Sequence, residues 1–423
     1  MTVLTVVLAT VISLAPPLLP RQSVVQGVVT GLFVVTALAL LRLVVSVRRR
    51  RSGRTAPPER SELRLPVALV GGSAVLVAAA GAHRWQNRLR EAMSVPTLDV
   101  RYWFEAPAVT IVVVAVLLAV PRLVNLLSRR RAAPAVAVML VIGTATVAFS
   151  PGRTIDTVVS PTALSAGLSG GAGSAMSWNR LGSEGQKFVS LPAEGSPIRI
   201  YVPLSAAPDP SARAEFAVDE LRRTSAFDRP HLVVAVPTGS GWVDAAAVRG
   251  FENRWGDDVA IVAQQYSDLP SWATFVLDRR AAAEEAHALV TALRAHLSTL
   301  PDERRPALHV YGQSLGASGA SAVFDDIEPE SCALFLAGPP AGVRTAGASV
   351  LANTSDPVVW WRPSLLWSPP DLSHARVDAP APPWLPVVSF LHTTVDLLTS
   401  LDTAPGHGHR YGDDQTSCTS PAG

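Results

Sequence analysis

Two kinds of hydrophobic pattern divide this chain. Before residue 150 the apolar residues run on without a polar face, and beyond residue 183 they come in short blocks separated by polar segments. Five apolar stretches, Val3 to Leu19, Val24 to Val47, Leu65 to Ala82, Pro107 to Leu127 and Ala132 to Phe149, approach the roughly 20 residues that a spanning helix needs. Residues 1–150 are therefore expected to form a membrane domain with about five transmembrane helices. Pro16 and Pro17 should kink the first, for which a cleaved signal peptide is the alternative. No positive charge precedes its apolar run, however, so an uncleaved anchor is expected. The Gly/Ser/Ala-rich stretch 151–183 reads as a linker.

In residues 184–423 strand-like and helix-like runs alternate. Ile198 to Leu204, His231 to Val236, Val259 to Ala263, Leu308 to Tyr311, Cys332 to Ala337 and Ser349 to Ala352 read as strands. Ala212 to Arg223 and Ala281 to Leu300 read as helices. Such alternation predicts a mostly parallel sheet with helices on both faces, in which active sites sit at the carboxyl ends of strands.

Composition sharpens the membrane reading. The chain is 48% hydrophobic with a mean hydropathy of +0.27, too apolar for one ordinary soluble domain. Its net charge is only +2, and the basic residues flank apolar runs, so a nucleic-acid partner is not expected. The arginines act instead as topology signals, because positive charge is retained on the cytoplasmic side. Seven lie between Arg48 and Arg64 and four between Arg122 and Arg131, against five on the other side: Arg21, Arg84, Arg88, Arg90 and Arg101. The N-terminus is then inside, and everything beyond Ser150 lies outside the cytoplasmic membrane. The spans carry almost no ionisable residue, Arg42 being close enough to an end to snorkel, so an anchor is expected rather than a transport path. The two cysteines, Cys332 and Cys418, fit neither a metal-ligand set nor a disulfide-dense scaffold; two unrelated thiols are one reading, and whether they pair is left open.

The candidate chemistry centres on Gly312-Gln313-Ser314-Leu315-Gly316, between the run ending at Tyr311 and the helix-like Ala317 to Phe324. A GxSxG in that context is a nucleophile elbow with Ser314 as nucleophile. Gly167-Leu168-Ser169-Gly170-Gly171 fits the same pattern without flanking strand or helix and is assigned to the linker. A serine hydroxyl needs a histidine to take its proton and a carboxylate to orient that histidine. Asp356, in Asn353-Thr-Ser-Asp-Pro-Val358 after a short strand, is the candidate acid, with an Asx-turn before Pro357 as its alternative. His407 and His409, in Gly406-His-Gly-His-Arg-Tyr-Gly412, are the candidate bases, and His407 is favoured. A metal on that His-x-His with Asp413 or Asp414 is the minor alternative, and neither metal nor cofactor is expected. The oxyanion hole should combine the Leu315 N–H with the loop Thr238 to Trp242, chiefly Gly239 and Ser240. Trp242, Tyr266, Trp360 and Trp361, with Trp272 and Trp367, are candidates for an apolar acyl pocket, or else core or interface anchors.

These residues resemble a known family, the actinobacterial membrane-anchored α/β-hydrolases that carry their own N-terminal membrane domain. The likeness rests on Ser13 to Arg21, Pro237 to Trp242, Gln265 to Trp272, the Ser314 elbow, Gly338-Pro-Pro340, Ser355 to Trp361 and Gly406 to His409. It implies a multi-span α-helical membrane domain followed by an α/β-hydrolase domain, and a serine-hydrolase activity without a defined substrate. The chain departs from the family pattern in a shorter segment between Gly338-Pro-Pro340 and Asp356, and it stops soon after Tyr411. The function expected is an extracytoplasmic serine hydrolase acting on a lipid or envelope ester or thioester, with the lipid bilayer as its surroundings. An acyltransferase using the same triad, or a non-catalytic hydrolase-fold scaffold, are the alternatives.

The arginine asymmetry makes a direct prediction. A phosphatase reporter fused after Gly423 should be active and a fluorescent reporter that matures only in the cytoplasm should stay dark; the opposite pattern would mean that the span count is wrong.

Overall fold

The computed structural model describes residues 1–52, 64–127, 164–269, 274, 280–323 and 332–418. The expected fifth span and Trp272 lie outside the described residues. The chain forms two compact units, one made of residues 1–153, 363–369 and 379–404, the other of residues 154–362, 370–378 and 405–423.

The first unit contains helices α1 (Thr2–Ser13), α2 (Ser23–Ser52), α3 (Arg64–Ala92) and α4 (Tyr102–Leu127). The last three are long and apolar enough to cross a membrane and could anchor the protein in one. α1 is shorter than the run Val3 to Leu19 suggested: it has 12 residues and ends before Pro16 and Pro17. A proline at 16 or 17 removes an N–H, and its ring clashes with the carbonyl four residues back. α2 and α4 approach closely through Gly27 and Gly31, where a Cβ would lie 2.6 Å from the Ala106 carbonyl oxygen and 2.7 Å from Val113 Cγ1. Thr110 Oγ1 donates to the Gly27 carbonyl at 3.1 Å across that seam. Small residues four apart are how helices pack where no hydrophobic effect drives them together.

Sequence-distant residues complete this unit. A late helix (Val388–Asp396) brings Asp396 against Arg21, and both side chains are buried. Arg21 donates Nη2–H and Nε–H to Asp396 Oδ1 at 2.7 and 3.1 Å, and the Leu18 N–H donates to Oδ2 at 2.9 Å.

The second unit is a six-stranded parallel sheet in the order β1-β3-β2-β4-β5-β6. Its strands are β1 (Ile198–Val202), β2 (His231–Val236), β3 (Val259–Gln264), β4 (Ala307–Gln313), β5 (Leu334–Ala337) and β6 (Ser349–Leu351). They are nearly continuous apolar runs, as strands covered on both faces should be. On one face α5 (Pro210–Arg223), α6 (Ala281–Leu297) and α7 (Leu315–Ala322) bury Val234, Val310, Leu289 and Leu293. On the other face the helix Ala245–Trp255 buries Phe251 against Val233, Tyr311 and Phe335. Asp209 caps α5 by accepting from the Ala212 N–H, with Pro210 pre-set at the first position.

One sequence reading is overturned in this unit, and two points that the sequence leaves open are decided. The stretch read as linker is described from residue 164, and there it packs on the sheet edge. Ser169 is buried, its N–H donating to the Arg199 carbonyl at 3.0 Å and its Oγ accepting from the Tyr201 N–H at 3.0 Å. Cys332 and Cys418, whose pairing the sequence leaves open, form a disulfide with a Cα–Cα distance of 5.6 Å. The short segment after Pro340 leaves the strand in place: β6 pairs with β5 in parallel, and the connection 338–348 contains no helix.

Asp396→Ala would strand the buried Arg21 charge and should lower stability by about 3–5 kcal/mol, read as a fall in Tm in detergent. Replacing both partners, Arg21→Met with Asp396→Leu, should recover most of the loss. A wild-type Tm for Asp396→Ala alone would contradict the buried pair.

Candidate active site

The site begins with a steric constraint at the end of β4. Ser314 has φ +55° and ψ −122°, a conformation that L-residues rarely adopt and that costs of order 1–3 kcal/mol. Its N–H donates to the Ala337 carbonyl at 3.0 Å, tying the turn to β5. The glycines on either side permit the turn. A Cβ on Gly312 would lie 2.1 Å from the Gly316 carbonyl oxygen, and one on Gly316 would lie 2.2 Å from the Val236 carbonyl oxygen. Immediately after Ser314, α7 starts at Leu315, and the first N–H groups of a helix have no intrahelical acceptor. The Leu315 N–H and the positive end of the helix thus lie beside the serine.

Beyond β6 the chain turns at Asn353-Thr-Ser-Asp-Pro, where Asp356 is fully buried. Its two oxygens are used differently. Oδ1 accepts from the Val358 N–H at 2.8 Å, which is the expected turn and cap, while Oδ2 lies 2.7 Å from His409 Nδ1. Tyr411 also donates its hydroxyl to Oδ2 at 2.5 Å. Burial and the neighbouring Asp356 charge push the Tyr411 hydroxyl well above its ordinary pKa, so it remains a donor.

The histidine on Asp356 is His409, whereas the sequence favoured His407. His407 lies on a second carboxylate, with Nδ1 3.2 Å from Asp378 Oδ2. The reason is in the backbone: Gly406 and Gly408 have φ of +89° and +57°, and the His407–Arg410 turn between them sends the two imidazoles apart. The loop is held at several points. The Gly408 carbonyl accepts from Asn353 Nδ2 at 2.9 Å and its N–H donates to Ser355 Oγ at 2.8 Å. Gln313, next to the serine, donates Nε2–H to the His409 carbonyl at 2.9 Å. Arg376 donates to Asn353 Oδ1 at 2.7 Å and to the Gly406 carbonyl at 3.1 Å.

Asp378, which the sequence reading did not single out, is the hub of this outer layer. It accepts from the Ser355 N–H and Oγ at 3.0 and 2.5 Å and from Thr354 Oγ1 at 3.2 Å. Nothing in its Pro-rich surroundings marks it. Tyr411 and Gln313, by contrast, stand beside motif residues and could have been suspected.

The candidate oxyanion loop is a closed turn, with the Thr238 N–H donating to the Trp242 carbonyl at 2.9 Å and the Gly241 N–H to the Thr238 carbonyl at 2.8 Å. Tyr201 supports it from below, donating its hydroxyl to the Gly241 carbonyl at 2.9 Å. Ser240 also borders a polar cavity of about 400 Å³ shared with Tyr201, Gln265 and Asp268. Of the candidate pocket aromatics, Trp360 is committed to the core, its buried indole N–H donating to the Thr354 carbonyl at 2.8 Å behind the acid. Tyr266 is buried, Trp242 and Trp361 are half-buried, and Trp367 is exposed and belongs to the other unit.

With this geometry in view, the comparisons with known proteins are decisive about kinship. Residues 198–349 and 344–419 match the alpha/beta-hydrolase family, and residues 14–168 match that family's N-terminal region. The chain belongs to the alpha/beta-hydrolase family. No curated protein and no solved structure matches it. The two pieces of the alpha/beta-hydrolase match meet at residues 344–349, where the helix-free connection after β5 runs into β6. The match runs through the elbow, the acid turn and the histidine loop.

Gly338 tests how tightly this alpha/beta-hydrolase site is packed. At φ +49°, a Cβ there would lie 2.7 Å from Asp356 Oδ2 and 2.8 Å from His409 Nδ1. Gly338→Ala should lower any turnover by roughly 10- to 100-fold through displaced groups. Gly342→Ala, also at positive φ but with open space around it, should leave turnover within a few-fold. Equal effects of the two substitutions in a turnover assay would contradict the packing argument.

Proposed function

We propose that the chain is a membrane-anchored serine hydrolase cleaving an ester or thioester of a lipid or envelope metabolite, with Ser314, His409 and Asp356 as its triad. The observation that carries this reading is the buried His409–Asp356 pair in the same unit as a serine held in a strained elbow. Each piece alone has an ordinary structural explanation, and their convergence at the carboxyl ends of β4 and β6 does not.

The roles follow from the chemistry. Ser314 Oγ attacks the carbonyl carbon while His409 Nε2 takes its proton, and the Asp356 carboxylate on Nδ1 fixes the tautomer and stabilises the imidazolium. The Leu315 N–H, with an N–H from the turn at Gly239 or Ser240, would hold the oxyanion. His409 then gives the proton to the departing alkoxide or thiolate. Water attacks the acyl-enzyme, its proton passes to His409, and collapse of the second tetrahedral intermediate releases the carboxylic acid and returns the proton to Ser314. His407 and Asp378 brace the loop without entering this exchange.

The anchored, extracytoplasmic placement draws support from three apolar helices, the arginine distribution and the Cys332–Cys418 disulfide. Disulfides persist mainly in oxidising compartments.

Hydrolysis of a panel of aryl and acyl esters by the detergent-solubilised chain tests the assignment. Ser314→Ala should be inactive, and His409→Ala should lose about four orders of magnitude in kcat. His407→Ala should stay within about tenfold of wild type, its loss being one bracing hydrogen bond. A dead His407→Ala beside an active His409→Ala would reverse the assignment, and a folded wild type inert to every ester would favour a scaffold.

A further inference from the structure

We propose that the N-terminal unit holds one anionic phospholipid of the surrounding bilayer in a groove between the end of α1 and α3, its phosphate on Arg84 and Arg88 and an acyl chain along the apolar floor. The groove is a cavity of about 420 Å³ lined by Leu14 and Pro16 on one side and by Ala78, Gly81, Arg84 and Arg88 on the other. It exists for two sequence reasons. α1 ends at Ser13, so the chain turns away at Pro16 where a full span would have continued. Across from it, Ala78 and Gly81 give α3 too little side chain to fill the space.

Positions 81, 84 and 88 follow one face of α3 at helical spacing, so the arginines continue the row that forms the groove floor. They stand where the apolar run Leu65 to Ala82 ends, the depth at which lipid phosphates lie beside interfacial tryptophans. Trp85, between them, is fixed there by its indole N–H donating to the Pro17 carbonyl at 2.9 Å.

The charge balance at this end of the unit selects the ligand. Arg21 is paired with Asp396, and Arg101 with Glu105. Arg90 donates to the carbonyls of Pro96 and Arg21 at 3.0 and 2.8 Å. Arg84 and Arg88 are exposed and, among the described residues, neither forms an ion pair, Glu91 included. Two guanidinium forks one helical turn apart suit a phosphate diester, which accepts from both. An apolar floor ending in two cations fits an amphiphile with an anionic head. A zwitterionic lipid would bring a competing ammonium, and free phosphate would leave the floor unused.

This inference rests on the membrane-anchored reading, and the test separates the two. The full-length chain is first floated with neutral phosphatidylcholine vesicles, which reports insertion alone. Native mass spectrometry then counts lipid retained from equimolar phosphatidylglycerol and phosphatidylcholine in detergent. One phosphatidylglycerol per chain should be preferred by roughly 25-fold, taking two basic contacts at about fivefold each. Arg84→Gln with Arg88→Gln should abolish the preference. Arg48→Gln with Arg49→Gln, at the other end of α2, should retain it. Millimolar inorganic phosphate should not displace the lipid. Normal flotation without lipid preference, or preference surviving in the Arg84/Arg88 variant, would overturn the site and leave the anchor standing. Displacement by phosphate alone would make it an anion site rather than a lipid site. Failure to float with neutral vesicles would remove both the anchor and the lipid site.

Discussion

The sheet unit depends on one close approach, that of Gly312 to the Gly316 carbonyl. Only two residues without side chains allow β4 to reverse into α7 within a single turn. That reversal forces Ser314 to positive φ, lifting it to the carboxyl edge of the sheet at the start of a helix. A serine in an ordinary strand or helix would have its hydroxyl in a core or on a flat face. The strain is maintained by what surrounds it: the Ala337 carbonyl on the Ser314 N–H, and the packing of α7 against β2, where Gly316 touches the Val236 carbonyl.

A second constraint concerns chain path. Asp356 and His409 are far apart in sequence, and between them the chain leaves this unit at residues 363–369 and again after Asp378, returning at Pro405. Exit and return are stapled together inside the unit. Arg376 joins the Ala352 carbonyl through its own N–H and the Gly406 carbonyl through its guanidinium, while Asp378 joins Ser355 to His407. The pairing of His409 with Asp356 is thereby set by residues on both strands of that passage, and Tyr411 closes it from the other side. In the N-terminal unit the Arg21–Asp396 pair has the comparable role of fixing the late helix beside the loop that follows α1.

Much of this was legible in the sequence, for identifiable reasons. All six strands were found because a parallel sheet covered on both faces requires uninterrupted apolar runs, and Val259 to Ala263 or His231 to Val236 has no other reading. The elbow was legible because its steric requirement falls on two glycines at fixed spacing. Which of His407 and His409 lies on Asp356 was not, since both are flanked by glycine and the path of the Gly406 to Gly408 backbone separates them. The disulfide was hidden because a sequence separation of 86 residues carries no spacing signal. The length of α1 was overestimated by reading hydropathy across Pro16, although the proline itself marked the stop.

Whether Ser314 is an activated nucleophile is read out by covalent trapping. The purified full-length chain would be treated with a fluorophosphonate, digested and mapped by mass spectrometry. A single adduct per chain is expected, on the peptide carrying Ser314, with labelling that slows sharply when His409 is replaced. An adduct on any other serine, such as Ser169, or a folded chain that takes up no phosphonate, would contradict it.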